Sequence, residues 1–200
     1  MPEPLDVTER AQLCDLLTSL GAGAPTLCEG WTTADLAAHL FLREHFHRST
    51  PSRMAGEIAL GYDRLISRIR AGAPMVPWRL PWVRNYVNGF EYFVHHEDVR
   101  RANGFEPPPE IPELEDLCWR TCGFLGRRLG KRLKGACLEL GPLGQKRRNR
   151  RRFGSGPVAV LSGPPTELAL YLSGRRSAAV VELSGDEAAV AAVERSDAKL

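Results

Sequence analysis

No apolar run in this chain of 200 residues approaches the ~20 residues that a membrane-crossing helix needs, so a helical membrane anchor is excluded from the expected architecture. The opening residues, Met-Pro-Glu-Pro-Leu-Asp, have neither the basic start nor the apolar segment of a signal peptide, and the expected location is the cytoplasm. A disulfide framework is lacking too. Cys14, Cys28, Cys118, Cys122 and Cys137 make an odd number, and without an export signal they read as reduced thiols. Cys118 and Cys122 stand four apart, but no second Cys or His pair completes a structural zinc site, so they are assigned to core packing.

An excess of charge of either sign is also small. The formal net charge is +3, and six positive charges fall within Lys146–Arg152, which leaves −3 for the rest. Such a run can meet phosphates. No aromatic interleaving, helix-turn-helix signal or zinc-finger spacing accompanies it, so nucleic acid is not an expected partner and a solvated loop is the preferred reading. What remains, 43% hydrophobic and 26% charged residues, is ordinary for a soluble globular protein with one substantial core or two small ones.

Helical spacing dominates the first two thirds of the chain. Asp6 with Glu9 resembles a capping box ahead of a helix over 7–20, and Thr32 with Asp35 marks the start of a second helix over 33–47, with Trp31 as a staple. A third helix is expected over 52–70, then a proline-punctuated connection over 74–82 with two tryptophans, able to cover a bundle end or wall a pocket. A fourth runs over 83–101 and stops at Asn103-Gly104, and a fifth spans 111–134. The pattern then changes: short strands are expected at 136–140, 156–161 and 178–183, with helices at 165–172 and 186–194. The expected domains are a helical unit over 1–135 and a small α+β unit over 136–200.

The fourth helix carries the chemistry. Glu91 and His95 are four apart on one helical face, inside an apolar stripe with Val87, Phe90 and Val94, where an unpartnered carboxylate or imidazole is costly. His39, among leucines on the second helix, is the candidate third ligand. Two histidines and one carboxylate with open positions suit catalytic zinc and also resemble the facial set of non-heme iron; zinc leads, with Ni2+ and Fe2+ as alternatives. Asp98, three after His95, is placed to orient a ligand or bound water, or to pair with Arg101 or Arg43. His96 and Glu97 point away from that face and are expected to be exposed or in interdomain contacts.

The segments Cys28–Leu40 (CEGWTTADLAAHL) and Glu91–Ala102 (EYFVHHEDVRRA) resemble the actinobacterial metal-binding proteins related to mycothiol-dependent maleylpyruvate isomerase, in the DinB/YfiT-like superfamily. The stretch Gly163–Arg175 followed by 180–186 resembles the second domain of those proteins. The resemblance implies a DinB-like up-and-down four-helix bundle with an extra helix, joined to a small C-terminal α+β domain. It implies one divalent metal on His39, Glu91 and His95, and a catalytic arginine for which Arg175 is the matching candidate; a helix-end cation is the alternative. It also implies mycothiol as co-substrate, with metal-assisted transfer of a small-molecule thiol to a small electrophile. Isomerase activity on maleylpyruvate itself is not carried over. The competing expectation is a non-catalytic metal-binding stress or sensor protein, and either a monomer or a homodimer is compatible with the chain.

Overall fold

A computed structural model of the chain describes residues 3–45, 47–72, 83–106, 109–142 and 150–196. The connection at 74–82, with its two tryptophans, and the start of the basic run, 146–149, lie outside the described residues. The described elements form two compact units, Met1–Pro109 and Glu110–Leu200. The described residues are mostly helical with one small sheet, and no described helix is long and apolar enough to cross a membrane.

The first unit contains α1 (Leu5–Leu20), α2 (Thr33–Glu44), α3 (Pro51–Ala59), α4 (Tyr62–Ala71), a π-helical turn (Val83–Asn88) and α5 (Gly89–Ala102). Leu13 and Leu17 of α1, Leu36 and Leu40 of α2, Leu65 and Ile69 of α4, and Tyr92 and Val99 of α5 meet in one core. Each such side chain contributes about 1.5–3 kcal/mol on burial. Thr32 and Asp35 close the expected capping box on α2. The single helix expected over 52–70 is two. Leu60 ends α3, and Gly61, at φ 106°, turns the chain into α4, a backbone angle that residues with a Cβ rarely adopt.

The second capping box, at Asp6, does not form. Pro4 precedes α1, and Asp6 and Glu9 lie inside the helix, both buried. Glu9 instead accepts a hydrogen bond from His96 Nδ1 at 3.1 Å. His96 is therefore buried, contrary to the expected exposure, and so is Glu97, whose carboxylate meets Arg100 at 3.4 Å and Arg101 at 2.8 Å. Helical geometry correctly turned both residues away from His95, but α1 covers that other side of α5, so the polar groups there are paired rather than solvated.

The second unit holds α6 (Pro112–Gly130), β1 (Cys137–Pro142), β2 (Arg151–Gly154), β3 (Val158–Gly163), α7 (Pro165–Leu172), β4 (Glu182–Gly185) and α8 (Glu187–Arg195). The sheet order is β2-β1-β3-β4, with β1 and β3 parallel and the outer pairs antiparallel. The sequence pattern placed α6 with the preceding helices; in the fold it joins this unit. Two glycines explain how: a Cβ at Gly126 would come within 2.4 Å of the Phe153 ring, and one at Gly130 within 2.6 Å of Phe153 Cβ, so β2 packs directly on a bare helix face. Strand β2 falls in the stretch expected to be a solvated loop, because Arg151 and Arg152 close the basic run. It pairs because Phe153 faces inward and Arg152 lies opposite buried Glu139, donating to it at 2.5 Å. The last strand starts four residues later than expected, since Val180 N–H is taken by Glu167 Oε2 at 2.7 Å rather than by a neighbouring strand.

None of the five cysteines, all among the described residues, forms a disulfide, and Cys118 and Cys122 pack in the core as assigned. Burial pushes the Cys14 thiol up to about 11 and the Cys122 thiol up to about 12. Because the folded state then holds protons that the unfolded state releases, stability is retained below about pH 9 and falls as pH rises from there toward 11. Urea unfolding at pH 8, 9 and 10 is expected to show this decline, and Cys14→Ser and Cys122→Ser together are expected to flatten it. His96→Ala leaves Glu9 buried without its partner and is expected to cost about 3 kcal/mol of stability, readable from the same titrations.

Candidate metal centre

Two elements and a loop converge on one face of α5. Glu91 and His95 are one turn apart, and His95 Nε2 lies 3.3 Å from Glu91 Oε1. From α2, His39 Nε2 lies 3.4 Å from the same oxygen. Ligand-capable atoms of His39, Glu91 and His95 all lie within 4.8 Å of one another. The side chains of His39 and Glu91 are 21% and 29% exposed, that of His95 only 8%, so the cluster is open on one side. The imidazoles of His39 and His95 meet edge to face with centroids 5.2 Å apart, and the Trp31 ring lies 5.2 Å from that of His39.

The other ring nitrogen of each histidine is occupied. His95 Nδ1 donates to Asp98 Oδ2 at 2.9 Å; Asp98 is fully buried, and a carboxylate there can only accept. His39 Nδ1 shares a hydrogen bond of 2.9 Å with the Ser49 hydroxyl. Both Nε2 atoms are thus directed at one carboxylate oxygen. With the His95 proton on Nδ1, the Nε2 lone pair would face that of Glu91 Oε1, and only a proton or another cation between them makes the approach favourable. Burial alone would make His95 less basic, but the hydrogen bonds to Asp98, Cys28 and Glu91 and the Glu91 charge hold it well above the ordinary histidine value. Burial alone would likewise raise Glu91, yet the hydrogen bonds from His39 and His95 and the charges of His95 and Arg43 hold it well below the ordinary carboxylate range. A donor set with oriented imidazoles and an ionised carboxylate fits a divalent ion of the zinc or iron type.

Arg43 stands beside Glu91. Its Nε is 3.2 Å from Glu91 Oε1, and Nη1 donates to Asn88 Oδ1 at 3.1 Å, so the wide turn before α5 supplies its second anchor. The pairing of Arg101 is with Glu97. Of the expected stripe, Val94 is buried while Val87 is 38% exposed, because that position falls in the π-helical turn before α5 begins.

Sequence reasoning missed Cys28 and Ser49. The Cys28 thiol donates to Asp98 Oδ2 at 3.3 Å, and Leu27 N–H donates to the Asp98 carbonyl at 3.1 Å, so the loop before α2 is stitched to α5. Cys28, His95 and Asp98 form a second group of ligand-capable atoms within 4.8 Å. The signal was the position of Cys28 at the head of the Cys-Glu-Gly-Trp stretch, which has no periodicity to exploit. Arg175 lies in the second unit, in the turn after α7, where Nη1 donates to the Ser173 carbonyl at 2.8 Å.

No model of a known protein family matches the chain, and no curated protein matches it. Among solved structures, the chain is similar to a mycothiol-dependent maleylpyruvate isomerase, with a TM-score of 0.58 and 18% identity over 91% of both chains. A histidine-to-alanine mutant of that isomerase matches with a TM-score of 0.56, again at 18% identity and 91% coverage of each chain. The resemblance stated from the sequence therefore holds at the level of the fold: this chain folds like the mycothiol-dependent maleylpyruvate isomerase.

Proposed function

We propose that this protein is a metal-dependent enzyme that adds a low-molecular-weight thiol, of the mycothiol type, to a small electrophile. His39, Glu91 and His95 are the ligands of one divalent ion, with zinc foremost, and the helices that carry them belong to a DinB-like up-and-down bundle. The observation that carries the reading is the convergence of two imidazole Nε2 atoms on one Glu91 oxygen while each Nδ1 is held by a separate oxygen group. The fold shared with a mycothiol-dependent enzyme supports the thiol as co-substrate.

A bound divalent ion supplies Lewis acidity, making a coordinated thiol or water more acidic. The chain's own residues supply the rest. Asp98 fixes the His95 ring through Nδ1, and Cys28 in turn engages the same Asp98 oxygen. Ser49 orients His39, and Trp31 packs beside that ring. Arg43 keeps Glu91 ionised and aimed. The open side beside His39 and Glu91 is the approach for thiol and electrophile. Arg175 is the candidate catalytic arginine that the resemblance offers.

Elemental analysis of purified variants tests the ligands. His39→Ala, Glu91→Ala and His95→Ala are each expected to lose stoichiometric metal, whereas His96→Ala retains it; normal metal content in the first three sinks the site. Since metal must displace the Nε2 proton of His95, zinc binding at pH 7 is expected to release about one proton and to weaken as pH falls, which calorimetry in buffers of different ionisation enthalpy measures. Metal-dependent adduct formation between mycothiol and a small electrophile separates the enzyme from a metal-binding stress or sensor protein, which binds the ion and forms no adduct.

A further inference from the structure

The second unit carries 16 basic and 11 acidic residues, the first 11 and 13, so the positive charge of the chain is concentrated at Glu110–Leu200. Within that unit, α6 and β2 border an open groove of about 960 Å³. Its lining includes Arg120, Arg127 and Lys131 from α6 and Arg151 and Arg152 from β2, with no carboxylate. The carboxylates that meet these cations, Asp116 with Arg120 and Glu139 with Arg152, are not part of that lining.

The groove is built, not merely charged. Gly123 and Gly130 form part of its wall, and the absence of their side chains lets β2 lie close on α6. Arg151 is fixed, with its guanidinium 4.1 Å from the centre of the Trp119 ring and Nη1 donating to the Trp119 carbonyl at 2.5 Å. Burial holds Arg151 below the ordinary arginine value, and the charge of Arg127 pushes the same way. An anion entering between them relieves that repulsion.

Two features decide which anion. From Arg120 to Lys131 the helix rises ~16 Å, longer than one phosphate or carboxylate can occupy and enough for successive phosphates of one strand. Phe124 sits between Arg120 and Arg127 in sequence, lines the same groove and is 65% exposed. A cationic row with an exposed aromatic platform matches the way single strands are held, phosphates on the cations and an unpaired base on the ring; a duplex keeps its bases stacked internally. The basic run has no aromatic residue within it, and the fold brings it Phe124 and Trp119 from α6 beside its sequence neighbour Phe153.

We propose that the α6–β2 groove binds single-stranded nucleic acid. The test is fluorescence anisotropy of the full chain with a labelled oligothymidylate of roughly 12 nucleotides, within the ~4–16 nucleotide range of single-strand sites. Binding is expected to weaken with salt, with a log–log slope of about −3.5 if five cations are engaged at ~0.7 each, falling to about −2 in Arg127→Ala/Lys131→Ala. Phe124→Ala, at an exposed position, is expected to bind about tenfold more weakly with the slope unchanged. Circular dichroism and thermal melting confirm that both variants fold. Absence of binding at low salt overturns the proposal. So does binding that both variants leave intact, a duplex of equal length binding more tightly with Phe124→Ala silent, or a poly-glutamate peptide of matched charge or an anionic vesicle binding as tightly as the oligonucleotide.

Discussion

The buried carboxylate of Asp98 is the constraint on which the first unit's site depends. One of its oxygens accepts from both His95 Nδ1 and the Cys28 thiol, and the backbone carbonyl of the same residue accepts from Leu27. A fully buried carboxylate without such partners is strongly disfavoured. Satisfying it fixes the rotamer of His95, the position of the loop before α2, and through that loop the entry into the helix that carries His39. Orientation of the second imidazole by Ser49 and of the carboxylate by Arg43 then completes a cluster in which each candidate ligand is held by a neighbour that is not itself a ligand.

Much of this was legible from residue spacing. Glu91 and His95 at four residues apart had to share a face, His39 stood on the apolar side of another amphipathic helix, and Asp98 lay within reach of His95. Each inference used the 3.6-residue period. Cys28, Ser49 and the approach of Arg43 to Glu91 were not legible, because loop residues and long side chains carry no periodic signal and their contacts are separated by many positions in sequence. The fold divides the same way. Helices with strong apolar stripes and the Thr32–Asp35 cap were readable. Of the Asp6–Glu9 pattern, identical in form to a cap, Glu9 pairs instead with His96 of α5.

The second unit was harder for a physical reason. Strand β2 is short, arginine-rich and stabilised by a cross-strand carboxylate and by the glycine face of a helix more than twenty residues earlier in the chain. Local propensity sees only solvated charge there. The glycines of α6 likewise read as weak helix positions until the ring that lies on them is known. Charge that looks like a loop in sequence thereby becomes one wall of a groove.

The two adjacent histidines of α5 have a mechanical consequence. His95 is tied to Asp98 and faces Glu91 on one side; His96 is tied to Glu9 of α1 on another. A purely apolar helix can roll by some degrees against its neighbours by exchanging one hydrocarbon contact for another. This helix is indexed by ionisable groups on two flanks, so a roll in either sense strands a carboxylate in the interior. The angular position of Glu91 and His95 is thereby set by a pair that has no part in the site, and the backbone carrying the candidate ligands holds its setting whether or not the cluster is filled.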